Sequence, residues 1–236
     1  MKVDMIQEFS RFAIYYLPSE SNLLSNFASS WFGWNPHLGM EVSYPVWKNL
    51  NFNIAELTSE PGKYGLHGTL KPPFPLAKQE NFEELRVAIL KLSRSIKKFK
   101  IPSITLRVID GFIAIVPTIR NERIDYLAEK CVKELDDFRG PESLENIKKR
   151  RSVGLSERQE NHLRRWGYPY VLDDFNFHLT MTEKLRPEVS ERVFLVLASK
   201  LESVLMAPLL VDKIFLCGES VENGKFKVIE KFSLID

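Results

Sequence analysis

Cysteine is scarce: the 236-residue chain holds two, Cys131 and Cys217, both in apolar-periodic segments, which excludes a fold stapled by disulfides. They read as reduced core thiols. A dominant charge is also lacking, with 33 Lys and Arg against 31 Asp and Glu. The chain as a whole therefore exerts no strong pull on nucleic acid or an acidic membrane, and any preference for an anion has to be local. No run reaches the ~18 apolar residues of a membrane span. Met1 to Ser10 is polar and acidic, where a signal peptide needs a basic start and an apolar stretch. The expectation is a soluble cytoplasmic protein with no membrane partner. Metal-site spacing is missing too: there is no H-x-H, no H-E-x-x-H and no cysteine pair, so neither a metal nor another cofactor is expected. What the chain does have is 44% hydrophobic residues, enough for the core of one large domain or two small lobes.

Phe12 to Leu17 is aromatic and branched and closes at Pro18, predicting an inner strand. Leu23, Leu24, Phe27 and Trp31 recur at helical spacing and predict a short helix that stops near Gly33 and Pro36. The next thirty or so residues, rich in proline, glycine and aromatics, predict irregular connection. A regular order begins at Tyr64. A strand to Leu70 is stopped by Pro72 and Pro73; a helix follows with Phe82, Leu85, Ala88, Ile89, Leu92 and Ile96 on one face. A hairpin, Ile104 to Ile109 and Phe112 to Val116, then turns at Asp110-Gly111. The same order returns as a strand from Phe175 to Thr182, a helix opened by Pro187 with Val193, Leu197, Leu201 and Leu205 inside, and two strands around Asn223-Gly224. Each copy carries one histidine, His67 or His178, at nearly the same distance from its turn. The repeat implies two similar lobes facing each other in one bilobal domain over 1–236, divided near 1–120 and 121–236. Between the copies lie a helix from about Glu122 to Phe138 and a basic stretch, Ile147 to Trp166, whose second half starts with a capping-box pattern, Ser156 and Gln159, and stops at Gly167.

Strand side chains alternate, so His67, Thr69 and Lys71 share a face, and Gly68, on the other, has to pack closely. In the second copy Phe175, Phe177, Leu179 and Met181 form an apolar face, leaving Asn176, His178, Thr180 and Thr182 together on the opposite one. A lone strand histidine is usually structural. Two histidines in the same relation to a threonine, in matching copies of a repeat, point instead to one site. Phosphodiester cleavage needs one group to take a proton from the nucleophile and another to give one to the leaving oxygen, and histidine does either near neutral pH. Threonine hydroxyls on rigid strands suit the non-bridging phosphate oxygens.

The pairs His67-Gly68-Thr69-Leu70 and His178-Leu179-Thr180-Met181 resemble the H-x-T-hydrophobic tandem of the two-histidine (2H) phosphoesterase superfamily. Arg11 to Tyr16, His67 to Phe74 and Trp166 to Val171 are similar to its branch of bacterial phosphonate-metabolism-associated proteins. That resemblance implies an α+β fold of two antiparallel-sheet lobes with helices outside and a central cleft, lined by both H-x-T strands. It also implies hydrolysis of cyclic phosphates of nucleotides or sugars, with His67 and His178 catalytic in an unfixed order and Thr69 and Thr180 binding phosphate. The partner is then a small phosphorylated substrate. An RNA 2′,3′-end-processing enzyme of the same superfamily, or a non-catalytic nucleotide- or RNA-binding module, are the competing readings. The balanced charge disfavours a long RNA footprint, and paired proton-transfer groups are superfluous for binding alone.

Around the motifs, Lys71 either lends charge to a phosphate or is solvated. Tyr15, on the face of Arg11 and Ala13, either packs the core or touches the substrate. Tyr168 and Tyr170 follow the Gly167 helix stop and are placed to border the cleft, and Thr182 shares the face of His178. The cations from Lys148 to Arg165 form either a solvated face or a lid. His37 and His162 carry no motif and are assigned to the surface.

Overall fold

A computed structural model describes residues 7–47, 52–78 and 81–236; the start of the polar segment Met1 to Ser10 lies outside them. In chain order the elements are β1 (Phe9–Tyr16), α1 (Leu23–Phe32), β2 (Trp34–Asn35), β3 (Met40–Glu41), α2 (Ile54–Leu57), β4 (Gly68–Phe74), α3 (Phe82–Ser93), β5 (Phe99–Ile101), β6 (Ile104–Ile109) and β7 (Phe112–Pro117). There follow α4 (Glu122–Glu134), α5 (Leu144–Arg151), α6 (Glu157–Trp166), β8 (Leu179–Thr180), α7 (Pro187–Leu205), β9 (Leu209–Val211), β10 (Lys213–Ser220) and β11 (Phe226–Ser233). The expected irregular stretch after Gly33 contains the β2–β3 ribbon and α2.

Seven strands form one antiparallel sheet in the order β11-β10-β1-β4-β8-β7-β6, giving an α+β fold. One face is covered by α1, α3, α4 and α7. Phe12, Ile14 and Tyr16 of β1, Ile113 and Ile115 of β7 and Leu179 of β8 bury their side chains against Trp31, Leu85, Ile89, Leu127, Val193 and Leu197. Each such side chain taken out of water contributes about 1.5–3 kcal/mol, so this layer fixes the sheet's register. Opposite-facing Ala13, Tyr15 and Leu17 join Phe215, Cys217 and Phe226 in a smaller cluster on the other face. Being buried on both faces, β1 is the inner strand its apolar run predicts.

The halves 1–120 and 121–236 do not each own one side of the sheet. β1 of the N-terminal half pairs with β10 of the C-terminal half, which carries β11 on its other side, while β8 of the C-terminal half lies between β4 and β7 of the N-terminal half. Hairpins of the two copies have changed places, and the short pair β5–β9 ties the copies together again. The Asp110-Gly111 turn takes positive φ at both residues, 48° and 91°, as a tight hairpin requires. Ser156 and Gln159 make the expected reciprocal cap of α6, and Gly167 closes that helix at φ 72°. Among the described residues no helix is long and apolar enough to cross a membrane.

Two strand predictions need correction. β4 does not stop at Pro72 and Pro73 but runs through them to Phe74. Prolines are tolerated because β8 pairs with β4 only at Gly68↔Leu179, and the β1 ladder skips from Lys71 to Phe74, so no N–H is demanded of them. For the same reason the strand expected from Phe175 to Thr182 is paired only over Leu179–Thr180. Continuing its register would set Phe175 against Pro72, which has no N–H to give.

Candidate active site at the paired H-x-T strands

The two motifs meet at the middle of the sheet. Gly68 of β4 is the partner of Leu179 of β8, so the two x positions of the H-x-T segments face each other. An antiparallel register with that pair at its centre carries His67 opposite Thr180 and Thr69 opposite His178, a local two-fold arrangement. Opposed Cβ atoms lie about 4.5–5.5 Å apart, so the four side chains form a compact rectangle on the face opposite α1, α3, α4 and α7. Gly68 is forced by this closeness: a Cβ there would run into Phe177 Cε2. Because β8 is short, it is pinned from outside. Trp31 Nε1 donates to Met181 O at 2.7 Å, Met181 N donates to Ile113 O at 2.8 Å, and Glu183 N donates to Leu57 O at 2.9 Å.

All four motif side chains line a cleft of about 460 Å³. Both histidines are held the same way: His67 Nδ1 lies 3.0 Å from Gly65 O, and His178 Nδ1 lies 2.8 Å from Asn176 O. A carbonyl only accepts, so each Nδ1 carries the proton and each Nε2 is the ring nitrogen left for chemistry. Surroundings then separate the two. His67 is wedged between the rings of Tyr15, centroids 4.3 Å apart, and Tyr64, 5.2 Å, with Tyr64 in turn stacked on Phe226. Burial, aided by the charge of His178, pushes its pKa down to about 4, although the carbonyl of Gly65 works the other way. His67 is therefore neutral at pH 7. Among the described residues His178 has one aromatic neighbour, Phe112, at 5.7 Å, and its Nδ1 contact is exposed.

Tyr15 and Tyr168 also line the cleft. Tyr15 is 1% exposed, and burial raises its pKa, so its hydroxyl keeps its proton as a donor. Tyr170 stays outside the lining and packs edge-on against Tyr168. Thr182 borders the cleft, but its hydroxyl is already used, accepting from Ile113 N at 3.0 Å and donating to Glu183 O at 2.8 Å, and so offers a substrate little.

Lys71 is not in the cleft. The β1–β4 register runs Tyr15↔Thr69 and then Ile14↔Lys71, so a bulge at Leu70 turns Lys71 to the helix side. There its Nζ donates to Val132 O at 3.2 Å and Asp136 Oδ1 at 3.3 Å, and burial, opposed by Asp136, lowers its pKa to about 8. The surface assignment of the other histidines is likewise corrected. His37 Nε2 lies 2.9 Å from Pro18 O with the ring edge-on to Phe215. Buried His162 has Nδ1 3.2 Å from Asp174 Oδ2. Both are held by tertiary partners that have no local sequence signal.

Arg11, Tyr64 and Phe112 are cleft residues that motif reading did not single out, and Arg150 is the cleft member of the basic stretch read as a solvated face or a lid. Arg11 shares the β1 face of Tyr15, which was a usable signal, and its Nε donates to Glu219 Oε2 at 2.6 Å. Tyr64 and Phe112 had none beyond lying next to a motif strand or hairpin turn. Among the described residues no three His, Cys, Asp or Glu side chains gather as a metal-holding group.

An antiparallel sheet with helices on one face is the fold of the 2H phosphoesterases. The crystal structure of E. coli LigT in apo form superposes with a TM-score of 0.50 over 97% of this chain and 99% of that one, at 11% identity. A family described as "Protein of unknown function (DUF1045)" matches residues 69–227, and the chain belongs to that family. The protein is 28% identical over 227 residues to "Ribose 1,5-bisphosphate phosphokinase PhnN" of Janthinobacterium sp. (strain Marseille), covering 93% of this chain and 50% of that protein. It is 28% identical over 176 residues to the protein of the same name from Laribacter hongkongensis (strain HLHK9), covering 74% of this chain and 40% of that protein. The chain thus spans half or less of the curated relatives it matches.

Proposed function

We propose that the protein is a phosphodiesterase that hydrolyses a small cyclic phosphate of a nucleotide or ribose by two-histidine acid–base catalysis, with no metal in the reaction. The observation that carries this reading is the pairing of the H-x-T segments about Gly68 and Leu179, with both imidazoles anchored through Nδ1. Neutral His67, half-buried between Tyr15 and Tyr64, is the base: its Nε2 takes a proton from water as the water oxygen bonds to phosphorus. His178, more open, is the acid. Protonated, it gives its Nε2 proton to the ester oxygen as that P–O bond breaks, so the ring opens to a phosphomonoester and an alcohol. Thr69 and Thr180 donate hydrogen bonds to the non-bridging oxygens, where charge grows in the transition state. The name of the half-matching relatives, ribose 1,5-bisphosphate phosphokinase, favours a ribose phosphate over a nucleotide.

Turnover of nucleoside 2′,3′-cyclic phosphates, ribose cyclic phosphates and short RNAs in the presence of EDTA tests the reading. Undiminished hydrolysis of at least one small cyclic phosphate is expected. Activity lost with EDTA and restored by zinc or manganese would end the metal-free mechanism, action on RNA alone would make this an end-processing enzyme, and binding without turnover would leave a binding module.

A further inference from the structure

The H-x-T rectangle has two-fold character, but the cations near it do not. Of the basic stretch 148–165, Arg150 at the end of α5 is the member that lines the cleft, whereas Arg151, Arg158 and Arg164 pair with Glu160 or Asp174 at the surface. The Arg150 guanidinium carbon lies 4.4 Å from the centroid of the Tyr168 ring. One flat face is therefore covered, and the edge N–H groups are left to make bonds. Glu142 steadies the group from 3.9 Å and is itself held by Asn146 Nδ2 at 3.1 Å. Arg150 Nε is buried and has no hydrogen-bond partner. Tyr15 Oη is in the same condition, and four such atoms occur among the described residues, so two of them fall in this one cleft. Folded proteins rarely leave buried donors unpaired, and doing so twice beside a candidate active site marks where a ligand's acceptors belong. Tyr168, whose ring Arg150 covers, lines the same cleft as Tyr15.

We propose that Arg150, backed by Tyr168 and joined by the Tyr15 hydroxyl, forms a second anion subsite that takes a phosphomonoester borne by the substrate apart from the cyclic phosphate. This rests on the cyclic-phosphodiesterase reading and narrows its substrate class to doubly phosphorylated sugars or nucleotides. An arginine edge presents two parallel N–H donors that match two oxygens of a phosphate, and the phenol adds a third. Arg150 and Tyr168 come from outside the two H-x-T strands, in keeping with recognition of a non-reacting part of the substrate. Arg150 is a specificity residue: it holds the substrate and moves no proton.

The test is steady-state kinetics of the wild type, Arg150→Gln and Arg150→Lys with a ribose cyclic phosphate that carries or lacks a 5-phosphate. The wild type should prefer the 5-phosphorylated form by roughly 10- to 100-fold in kcat/KM, mostly through KM, the size of charge-assisted hydrogen bonds. That ratio should fall towards one in Arg150→Gln and stay intermediate in Arg150→Lys, with melting curves reporting whether each variant is folded. A wild-type ratio near one, or the same ratio in wild type and folded Arg150→Gln, overturns the subsite while leaving the phosphodiesterase reading intact. If neither compound is turned over, that reading fails and calorimetry with ribose 5-phosphate decides the subsite separately. Binding weakened at least about tenfold by Arg150→Gln supports it; equal binding, or none to the wild type, overturns it.

Discussion

The two H-x-T arms are chemically alike and sit in different surroundings. Beside β8 lies β7, the second strand of a hairpin, and one aromatic ring, Phe112, touches His178. Beside β4 lies β1, brought from the start of the chain, and it delivers Tyr15 onto His67 and Arg11 into the cleft. A repeated motif supplies two interchangeable imidazoles, and an unsymmetrical neighbour strand makes them different. That difference is what a proton-transfer pair needs, because one member has to start neutral and the other charged.

Several experiments press on this contrast. His67→Ala and His178→Ala should each lower kcat by roughly 10²- to 10⁴-fold, the usual worth of one acid–base group, with the fold retained. The double variant should lose much less than the product of the single losses, because the two act in one step. If either single variant keeps more than half of wild-type turnover, the corresponding arm is not catalytic. Thr69→Val and Thr180→Val keep the strand's shape but remove a hydroxyl, worth about 1.5–3 kcal/mol against a charged partner, or roughly 10- to 150-fold in kcat/KM. Equal losses at both positions would mean that the asymmetry stops at the histidines.

Burial of His67 predicts the pH dependence. Its pKa lies near 4, below the ordinary 6.5, so the base remains unprotonated down to that range and is lost only below it. The acid limb of kcat/KM should therefore fall near pH 4, and Tyr15→Ala, which opens the pocket, should move it upward. A limb at 6.5 in the wild type contradicts the buried-base account. The smallest effect concerns the meeting point of the arms. Gly68→Ala forces its Cβ into Phe177 and should cost about 1–3 kcal/mol of stability by overpacking, read from denaturant melts. No change would mean that β8 shifts freely against β4.

How far these features were legible follows from their range along the chain. Period-two alternation around His178 and the repeated histidine–threonine spacing are local, and so are the Asp110-Gly111 turn and the Ser156–Gln159 cap; all were readable. Lys71 was misplaced because the bulge at Leu70 depends on how β4 pairs with β1, more than fifty residues away in sequence. The shortness of β8 has the same source, a partner strand whose prolines end the ladder. His162 looked solvated until Asp174 and Pro169 closed over it. Nothing in a run of seven cations says which one turns inward, and tertiary packing selects Arg150.

The assignment of base and acid is tested most directly by changing the leaving group. A p-nitrophenolate departs without a proton, whereas an alkoxide from a cyclic sugar phosphate needs one. His178→Ala should therefore lose roughly 10²-fold or more on the alkyl ester and recover most of that loss on bis(p-nitrophenyl) phosphate, while His67→Ala should lose about equally on both. Recovery by His67→Ala instead would reverse the roles, and equal losses by both variants on both substrates would contradict the division of labour between the arms.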